Sequence, residues 1–466
     1  MKVSLEPLAL MVRAALLAAA LAIAAALGTA RAQSLRPNIL FIIADDLGLD
    51  ASPCYPGDRP KPPMPNLERL CSRGVVYDNA WTTPLCSPTR ATLITGRYGF
   101  NNGIGFVINA ESSPDMALSE KEITLHRLLG EARAPYAVGH FGKWHLAHQK
   151  IAESHPLKMG VTHFDGHLPS TPVPGYSHWM RTTNGKTAVS TEYMTTAFTD
   201  AAIAWIGQQR QPWLAWLAYT APHDPFHLPP AHLHSKSNLD SSVAAIEADP
   251  NPYFEAMLEA MDTEIGRLLG SLSPETRANT LVIFLGDNGT DFRVYRGNAP
   301  RARLPRDSRS KASLYQGGIA VPLIVAGAGV SRRGEREAAL VDASDLFPTI
   351  AEMAGVRVPH KIDGMSFAKT FSKAGAGARK FAYSELFGEP WFRTPKGIRV
   401  QARFLLGWTV RDERYKLIQW EDGRAALFDL AVDPDESANL LSNALTPALE
   451  SRMRALHEAS DALKRR

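Results

Sequence analysis

Cysteine is scarce in this chain: Cys54, Cys71 and Cys86 are the three found among 466 residues. An odd count leaves at least one thiol outside any internal disulfide. An excess of one charge is missing too, since 51 basic side chains face 47 acidic ones and the net is +4. No basic tract and no interleaving of aromatic with basic residues occurs, so nucleic-acid binding has no support. Long apolar runs are lacking beyond Ala14–Leu27, and that run is too short to span a bilayer comfortably. There is no internal repeat. What is present, 45% hydrophobic and 21% charged residues, is ordinary globular composition. The length suffices for one large core and a smaller domain.

The N-terminus reads as an address. Lys2 and Arg13 flank a short start, the apolar run follows, and Ala30-Arg31-Ala32 puts small residues at both positions a signal peptidase reads. Residues 1–32 are expected to be a cleaved secretory signal, with cleavage after Ala32. The mature protein is then exported, periplasmic or secreted, with no membrane segment. An uncleaved anchor is the alternative. No twin-arginine pair precedes the run, which points to export of the unfolded chain.

Acids and histidines gather after predicted strands. Asn38–Ala44 is an all-apolar strand of the kind found in a sheet covered on both faces, and Asp45-Asp46 end it. Leu281–Leu285 ends in Gly286-Asp287-Asn288-Gly289, and Trp213–Tyr219 is followed by Ala221-Pro222-His223. Open α/β sheets place their sites at such strand ends. Tyr136–Val138 leads into Gly139-His140-Phe141-Gly142-Lys143-Trp144-His145-Leu146. Lys143 and His145 alternate there at strand spacing, which predicts that both project from one face. Taken singly, an Asp pair is a turn and a lone histidine is structural.

Helices are predicted over Met64–Arg73 (stopped by Gly74), Thr124–Glu131, Tyr193–Gln208, Tyr253–Leu269 and Asp345–Ala354, with a further strand at Val321–Ala326. A small-residue boundary falls near Ala374–Arg379. Beyond it come short strands near Phe381–Leu386, Arg403–Val410, Tyr415–Trp420 and Ala426–Asp429, then an amphipathic helix over Leu445–Lys464. The expected fold is α/β: a mostly parallel central sheet flanked by helices over residues 33–375, and a small antiparallel sheet plus helix over 376–466. Phe100–Met116 is a loop expected to rim a cleft, and substrate specificity is expected to lie in it, His155–Asn184 and Arg293–Arg309.

The most informative stretch is Cys86-Ser87-Pro88-Thr89-Arg90-Ala91-Thr92-Leu93-Ile94-Thr95-Gly96-Arg97. Pro88 stands where a first helical residue would, and Cys86 would then sit at the positive end of a helix. This C-x-P-[ST]-R followed by T-G-R resembles the signature of the type I sulfatases, whose cysteine is oxidised after synthesis to Cα-formylglycine. The resemblance extends over almost the whole mature chain and implies the alkaline-phosphatase-like fold. It implies one Ca2+ (Mg2+ less suited) on Asp45, Asp46, Asp287, Asn288 and the modified Cys86. Oxygen donors alone fit such a hard cation.

By the same resemblance Lys143 and Lys311 hold the sulfate oxygens and Arg90 steadies the nucleophile. His145 serves the proton of the formylglycine hydrate, and His223 protonates the leaving oxygen. The implied reaction is sulfate ester hydrolysis through a covalent sulfo-enzyme. The implied partners are a small-molecule or glycan sulfate ester and, during maturation, a formylglycine-generating enzyme. Gln316, Ala320 and Ala147 depart from residues common in the family, and none is a proposed catalytic position. The rival readings are a phosphonate or phosphate ester hydrolase of the same superfamily and a silent sulfated-glycan binding protein. With Cys86 modified, Cys54 and Cys71 remain as a candidate pair, bridged or as two free thiols.

Overall fold

The computed structural model describes residues 36–465 apart from 58, 110–115, 296–308, 360, 389–390, 394–398 and 402–404. The expected signal segment, the tip of the Phe100–Met116 loop and most of Arg293–Arg309 lie outside the described residues. Ten strands form the central sheet: β1 (Asn38–Ala44), β2 (Gly74–Trp81), β3 (Ala137–Lys143), β4 (His163–His167), β5 (Trp179–Thr183), β6 (Lys186–Ser190), β7 (Trp213–Ala218), β8 (Thr280–Gly286), β9 (Leu323–Gly327) and β10 (Glu335–Asp342). Their order is β10-β2-β9-β8-β1-β7-β3-β4-β5-β6. The central block β8-β1-β7-β3-β4 is parallel throughout, while β9 runs antiparallel to both of its neighbours.

The apolar run of β1 explains its place at the centre. Leu40, Ile42 and Ala44 enter the core on one face, and Ile39, Phe41 and Ile43 enter the core on the other. A strand with no polar face can only sit where both faces are covered. Helices α1 (Pro65–Arg73), α3 (Met194–Gln208) and α4 (Asn251–Ser271) cover the first face. Helices α2 (Cys86–Thr95) and α5 (Leu346–Met353) cover the second.

The C-terminal part forms a separate four-stranded antiparallel sheet of β11 (Ala382–Phe387), β14 (Leu405–Arg411), β15 (Tyr415–Trp420) and β16 (Ala425–Asp429). The short strands β12 (Trp391–Arg393) and β13 (Arg399–Gln401) pair as a hairpin. Helix α6 (Pro447–Lys464) packs Leu456 and Leu463 against Val410 and Leu417 on one face of this sheet. The other face sends Leu386, Ile418 and Phe428 against Leu85 and Leu314, beside two of the candidate site residues.

Three sequence expectations change. Residue 74 does more than stop α1; it begins β2, a strand absent from the sequence reading. The His155–Asn184 segment, expected as loop, contains β4 and β5. Strand β4 was obscured by its polar residues, and these are satisfied: Asp165 accepts from Arg181 Nε at 2.7 Å and Thr183 Oγ1 at 3.0 Å. The third change concerns cysteine. Cys54 and Cys71, left open by the sequence, are joined as a disulfide across 17 positions. It ties the loop after β1 to α1. Among the described residues, no helix is long and apolar enough to cross a membrane.

Candidate active site

The site follows from strand register. Ala44 of β1 is the partner of Gly286 of β8, Ile43 pairs with Ala218 of β7, and Ala218 pairs with Gly142 of β3. Four neighbouring parallel strands therefore end together, and the residues just past each end face one another. Those residues are Asp45 and Asp46, Asp287 and Asn288, His223, and Lys143 and His145. Helix α2 adds Cys86 and Arg90 from the side, and a turn after the 296–308 segment adds Lys311. All ten site positions singled out in the sequence are nine-tenths or more buried except Lys311, whose side chain is 13% exposed.

The acids are interlocked. The Asp287 N–H donates to Ala44 O at 3.0 Å, and the Asp46 N–H donates to Asp287 Oδ1 at 3.1 Å. Asp46 holds a left-handed φ of 69° to do so. Asn288 Nδ2 donates to Asp46 Oδ1 at 2.8 Å. Burial, together with the negative charge of Asp45 and Asp46, raises the Asp287 carboxyl above its usual range. Burial alone would raise Asp45 as well, but Lys143, His223, Arg90 and Lys311 outweigh it and hold that carboxylate well below. Lys143 Nζ lies 2.5 Å from Asp45 Oδ2. Lys311 Nζ lies 2.6 and 2.7 Å from the two oxygens of Asp46. Arg90 Nη2 donates to Asp287 Oδ2 at 2.9 Å, and its Nη1 donates to Lys143 O at 2.9 Å.

Cys86 is itself the first residue of α2, two positions earlier than the sequence reading, which opened the helix at Pro88. Proline is tolerated there because the first-turn N–H groups have no intrahelical partner. The helix closes on Gly96 at φ 68°, whose N–H caps Thr92 O at 2.8 Å. Cys86 Sγ lies 4.0 Å from Asp46 Oδ1. Burial and then the charge of Asp45 push the thiol well up.

His145 departs from expectation. Strand β3 ends at Lys143, and His145 follows at a left-handed φ of 54°, so the two do not project from one strand face. Its Nε2 is 2.8 Å from Ile108 O. A carbonyl only accepts, so Nε2 carries the hydrogen and Nδ1 is left as a lone pair. That Nδ1 is buried without a protein partner. His223 has the opposite tautomer: Nδ1 lies 2.7 Å from Asp224 O and 3.1 Å from Asp224 Oδ1. Its Nε2 faces Asp46 Oδ2 at 3.9 Å. Burial and the two lysines lower the pKa of His223, and burial, Lys143 and Arg90 lower that of His145.

The sequence reading missed three neighbours. His167 is the register partner of Lys143 at the end of β4 and is buried with Nδ1 unpartnered. The signal was its place at a parallel strand end, hidden because β4 reads as loop. Asp224 links His223 to Arg293, whose Nη2 lies 2.9 Å from Asp224 Oδ1. Tyr176 Oη sits 2.6 Å from His223 O and 2.9 Å from Thr220 O, fastening the loop that carries the histidine.

The donor set suits a hard cation. Asp45 Oδ1 and Asn288 Oδ1 are buried acceptors without a hydrogen-bond partner. Among the described residues, donor atoms of Asp45, Asp46, Cys86 and His223 all lie within 4.8 Å of one another. The unpartnered oxygens of Asp45 and Asn288, beside the carboxylates of Asp46 and Asp287, fit a cation held by oxygen donors.

The sulfatase family model matches residues 37–356. The chain belongs to the sulfatase family of sulfuric ester hydrolases. A second model, the C-terminal region of N-sulphoglucosamine sulphohydrolase, matches residues 309–462. The arylsulfatase of Klebsiella aerogenes is 26% identical over 73% of this sulfatase and 91% of its own length. Human arylsulfatase A is 28% identical over 90% of this chain and 86% of its own. Among solved structures, Ps i-CgsB in complex with k-i-k-neocarrahexaose superposes with a TM-score of 0.74 at 22% identity, covering 92% of this chain and 93% of that one. A protein in complex with its substrate D-glucosamine-2-N,6-O-disulfate gives 0.70 at 22% identity, covering 92% and 98%. At those identities the likeness is one of fold.

Proposed function

We propose that this sulfatase hydrolyses sulfate esters to an alcohol and inorganic sulfate with Cys86, matured to Cα-formylglycine, as the nucleophile. The observation that carries the reading is the position of Cys86: buried at a helix start, 4.0 Å from Asp46, in a pocket shared with Lys143 and Lys311. Asp45, Asp46, Asp287, Asn288 and residue 86 would hold one Ca2+, which when bound supplies positive charge against the sulfate oxygens. Lys143 and Lys311 bind those oxygens from the chain's side. Arg90 keeps Asp287 and the nucleophile in fixed relation.

The hydrated aldehyde has two hydroxyls. One gives its proton to Asp287 as it attacks sulfur and the S–O bond to the alcohol breaks, while the departing oxygen takes the Nε2 proton of His223 in its protonated form. The second hydroxyl then gives its proton to His145, whose free Nδ1 suits a base. The C–O bond to the sulfo group breaks, sulfate leaves and the aldehyde returns. A serine in this place could accept the sulfo group but could not expel it in this way.

Residues 1–32 are read as an export signal, a formylglycine-generating enzyme as the maturation partner, and residues 33–375 and 376–466 as catalytic domain and small C-terminal subdomain. The substrate is a small-molecule or glycan sulfate ester. The test is release of inorganic sulfate by matured enzyme from nitrophenyl sulfate and O-sulfated sugars. Release from at least one is expected. Phosphate released from phosphate esters with no sulfate from any member of the panel would favour the superfamily rival instead.

A further inference from the structure

The small C-terminal sheet reaches the active site through one buried ion pair. Glu436 and Lys416 are 1% and 0% exposed, and Glu436 Oε1 lies 2.6 Å from Lys416 Nζ. The other oxygen, Oε2, accepts the backbone N–H of Gln316 at 2.5 Å. Gln316 Oε1 in turn accepts Trp81 Nε1–H at 2.8 Å, and Lys416 Nζ stands 5.0 Å above the Trp81 ring. One residue earlier, Asp435 O accepts Arg309 Nη1–H at 2.9 Å. Both ends of the turn 309–316 are therefore held by the adjacent residues 435 and 436.

That turn carries Lys311. Its own hydrogen bonds connect the site's parts: the Lys311 N–H donates to Thr290 O at 3.0 Å, and the Ala312 N–H donates to Pro84 O at 2.9 Å. Arg309 and Ala312 both take left-handed φ values, 54° and 66°. For residues other than glycine that conformation is unfavourable, so it persists only where surroundings impose it. The apolar face of the same sheet presses Ile418 and Phe428 against Leu314 and Leu85, the residue before Cys86.

We propose that Glu436 is a positioning residue for Lys311: its carboxylate, fixed by Lys416, holds the 309–316 turn so that the lysine reaches the acid pair. This rests on the reading of Lys311 as a sulfate-binding group. Burial lowers the Lys416 ammonium to about 8, with Glu436 opposing and Arg411 adding to the fall. The pair is accordingly an unfavourable one to bury for stability alone, and hydrophobic replacements of such pairs commonly fold well.

That gives a clean test with matured, metal-loaded enzyme. The variant Glu436→Leu/Lys416→Met removes both charges and the acceptor for Gln316 N–H. The variant Glu436→Gln/Lys416→Met removes both charges and keeps an acceptor. The first should lose roughly ten- to a hundredfold in kcat/KM for nitrophenyl sulfate, the scale of a small misplacement of a reacting group, while the second stays close to wild type. In a Lys311→Ala background the two should differ by less than about twofold, because the residue they position is gone. Equal activity of the two variants, or an undiminished difference without Lys311, overturns the proposal. If Lys311→Ala alone leaves kcat/KM intact, the sulfate-binding reading of Lys311 falls and the proposal with it.

Discussion

Arg90 Nη2 donates to Asp287 Oδ2 at 2.9 Å, joining residues 197 positions apart in sequence. One belongs to the helix that opens with Cys86, and the other follows β8. The bond is dry, with side-chain exposures of 3% and 0%. It couples the Cys86 helix to the acid cluster, and Arg90 sits 3.6 Å from Asp45 as well.

Arg90→Ala should therefore do more than lower activity. Removing one partner of a buried pair typically destabilises by about 3–5 kcal/mol. Groups that orient metal ligands typically set about ten- to a hundredfold in metal affinity. Calorimetric Ca2+ binding and thermal melts of Arg90→Ala and wild type are the measurements. Unchanged Ca2+ affinity with intact Asp287 would contradict the coupling.

The acid cluster predicts the metal. Asp45, Asp46 and Asp287 share one buried pocket, and Asp45 Oδ1 and Asn288 Oδ1 have no protein partner. Chelation should abolish turnover and lower the melting temperature, with Ca2+ restoring both. Asp45→Ala should not be restored. Elemental analysis finding stoichiometric zinc and no calcium or magnesium would refute the oxygen-donor reading.

His223 and Lys143 should separate by leaving group. A nitrophenolate departs with little help, whereas a sugar alkoxide depends on a positioned acid, worth about a hundredfold to ten-thousandfold. His223→Ala should lose far more activity on an accepted sugar sulfate than on nitrophenyl sulfate. Lys143→Ala should injure both comparably. The comparison needs conditions in which S–O cleavage limits the rate. Equal losses on both substrates for His223→Ala would make it a sulfate-binding or structural residue.

Glu385 in β11 gives a pH prediction away from the chemistry. It is 3% exposed and accepts the Phe100 N–H at 3.0 Å and the Tyr383 O–H at 3.2 Å. Burial is the largest influence and lifts its carboxyl from 4.5 to about 8. The folded chain therefore binds this proton more tightly than the unfolded one. Its contribution to stability is complete below pH 4.5 and is lost as pH rises through about 8, by at most roughly 5 kcal/mol. Glu385→Gln keeps the neutral shape and should flatten this dependence, gaining on wild type as pH rises. Urea unfolding at about pH 5 and about pH 9 measures it. Parallel stability curves for the two proteins would exclude the shift.

Much of this architecture was legible. The span of β1 is Asn38–Ala44 in both readings, because an all-apolar run between polar turns has sharp edges, and Tyr415–Trp420 likewise. Asp45, Asp46, Lys143, His223, Asp287 and Asn288 lie together because strand ends in a parallel block are neighbours whatever the loops do, while Cys86, Arg90 and Lys311 join them from a helix and a turn. What escaped was set by tertiary contacts. Strand β10 is interrupted in register between Glu337 and Leu340, and β4 buries an aspartate made tolerable by Arg181 and Thr183. His145 left its predicted strand face through a positive φ that no local signal announces. The clamp from Glu436 onto the Lys311 turn joins residues far apart in sequence, beyond any motif.

The central claim concerns the atom that attacks sulfur. Mass spectrometry of the peptide spanning Cys86, taken from protein of known specific activity, tests it most directly. The account predicts formylglycine or its hydrate at position 86, with activity proportional to the modified fraction and none in Cys86→Ala. Fully active enzyme in which position 86 is entirely unmodified cysteine would contradict it.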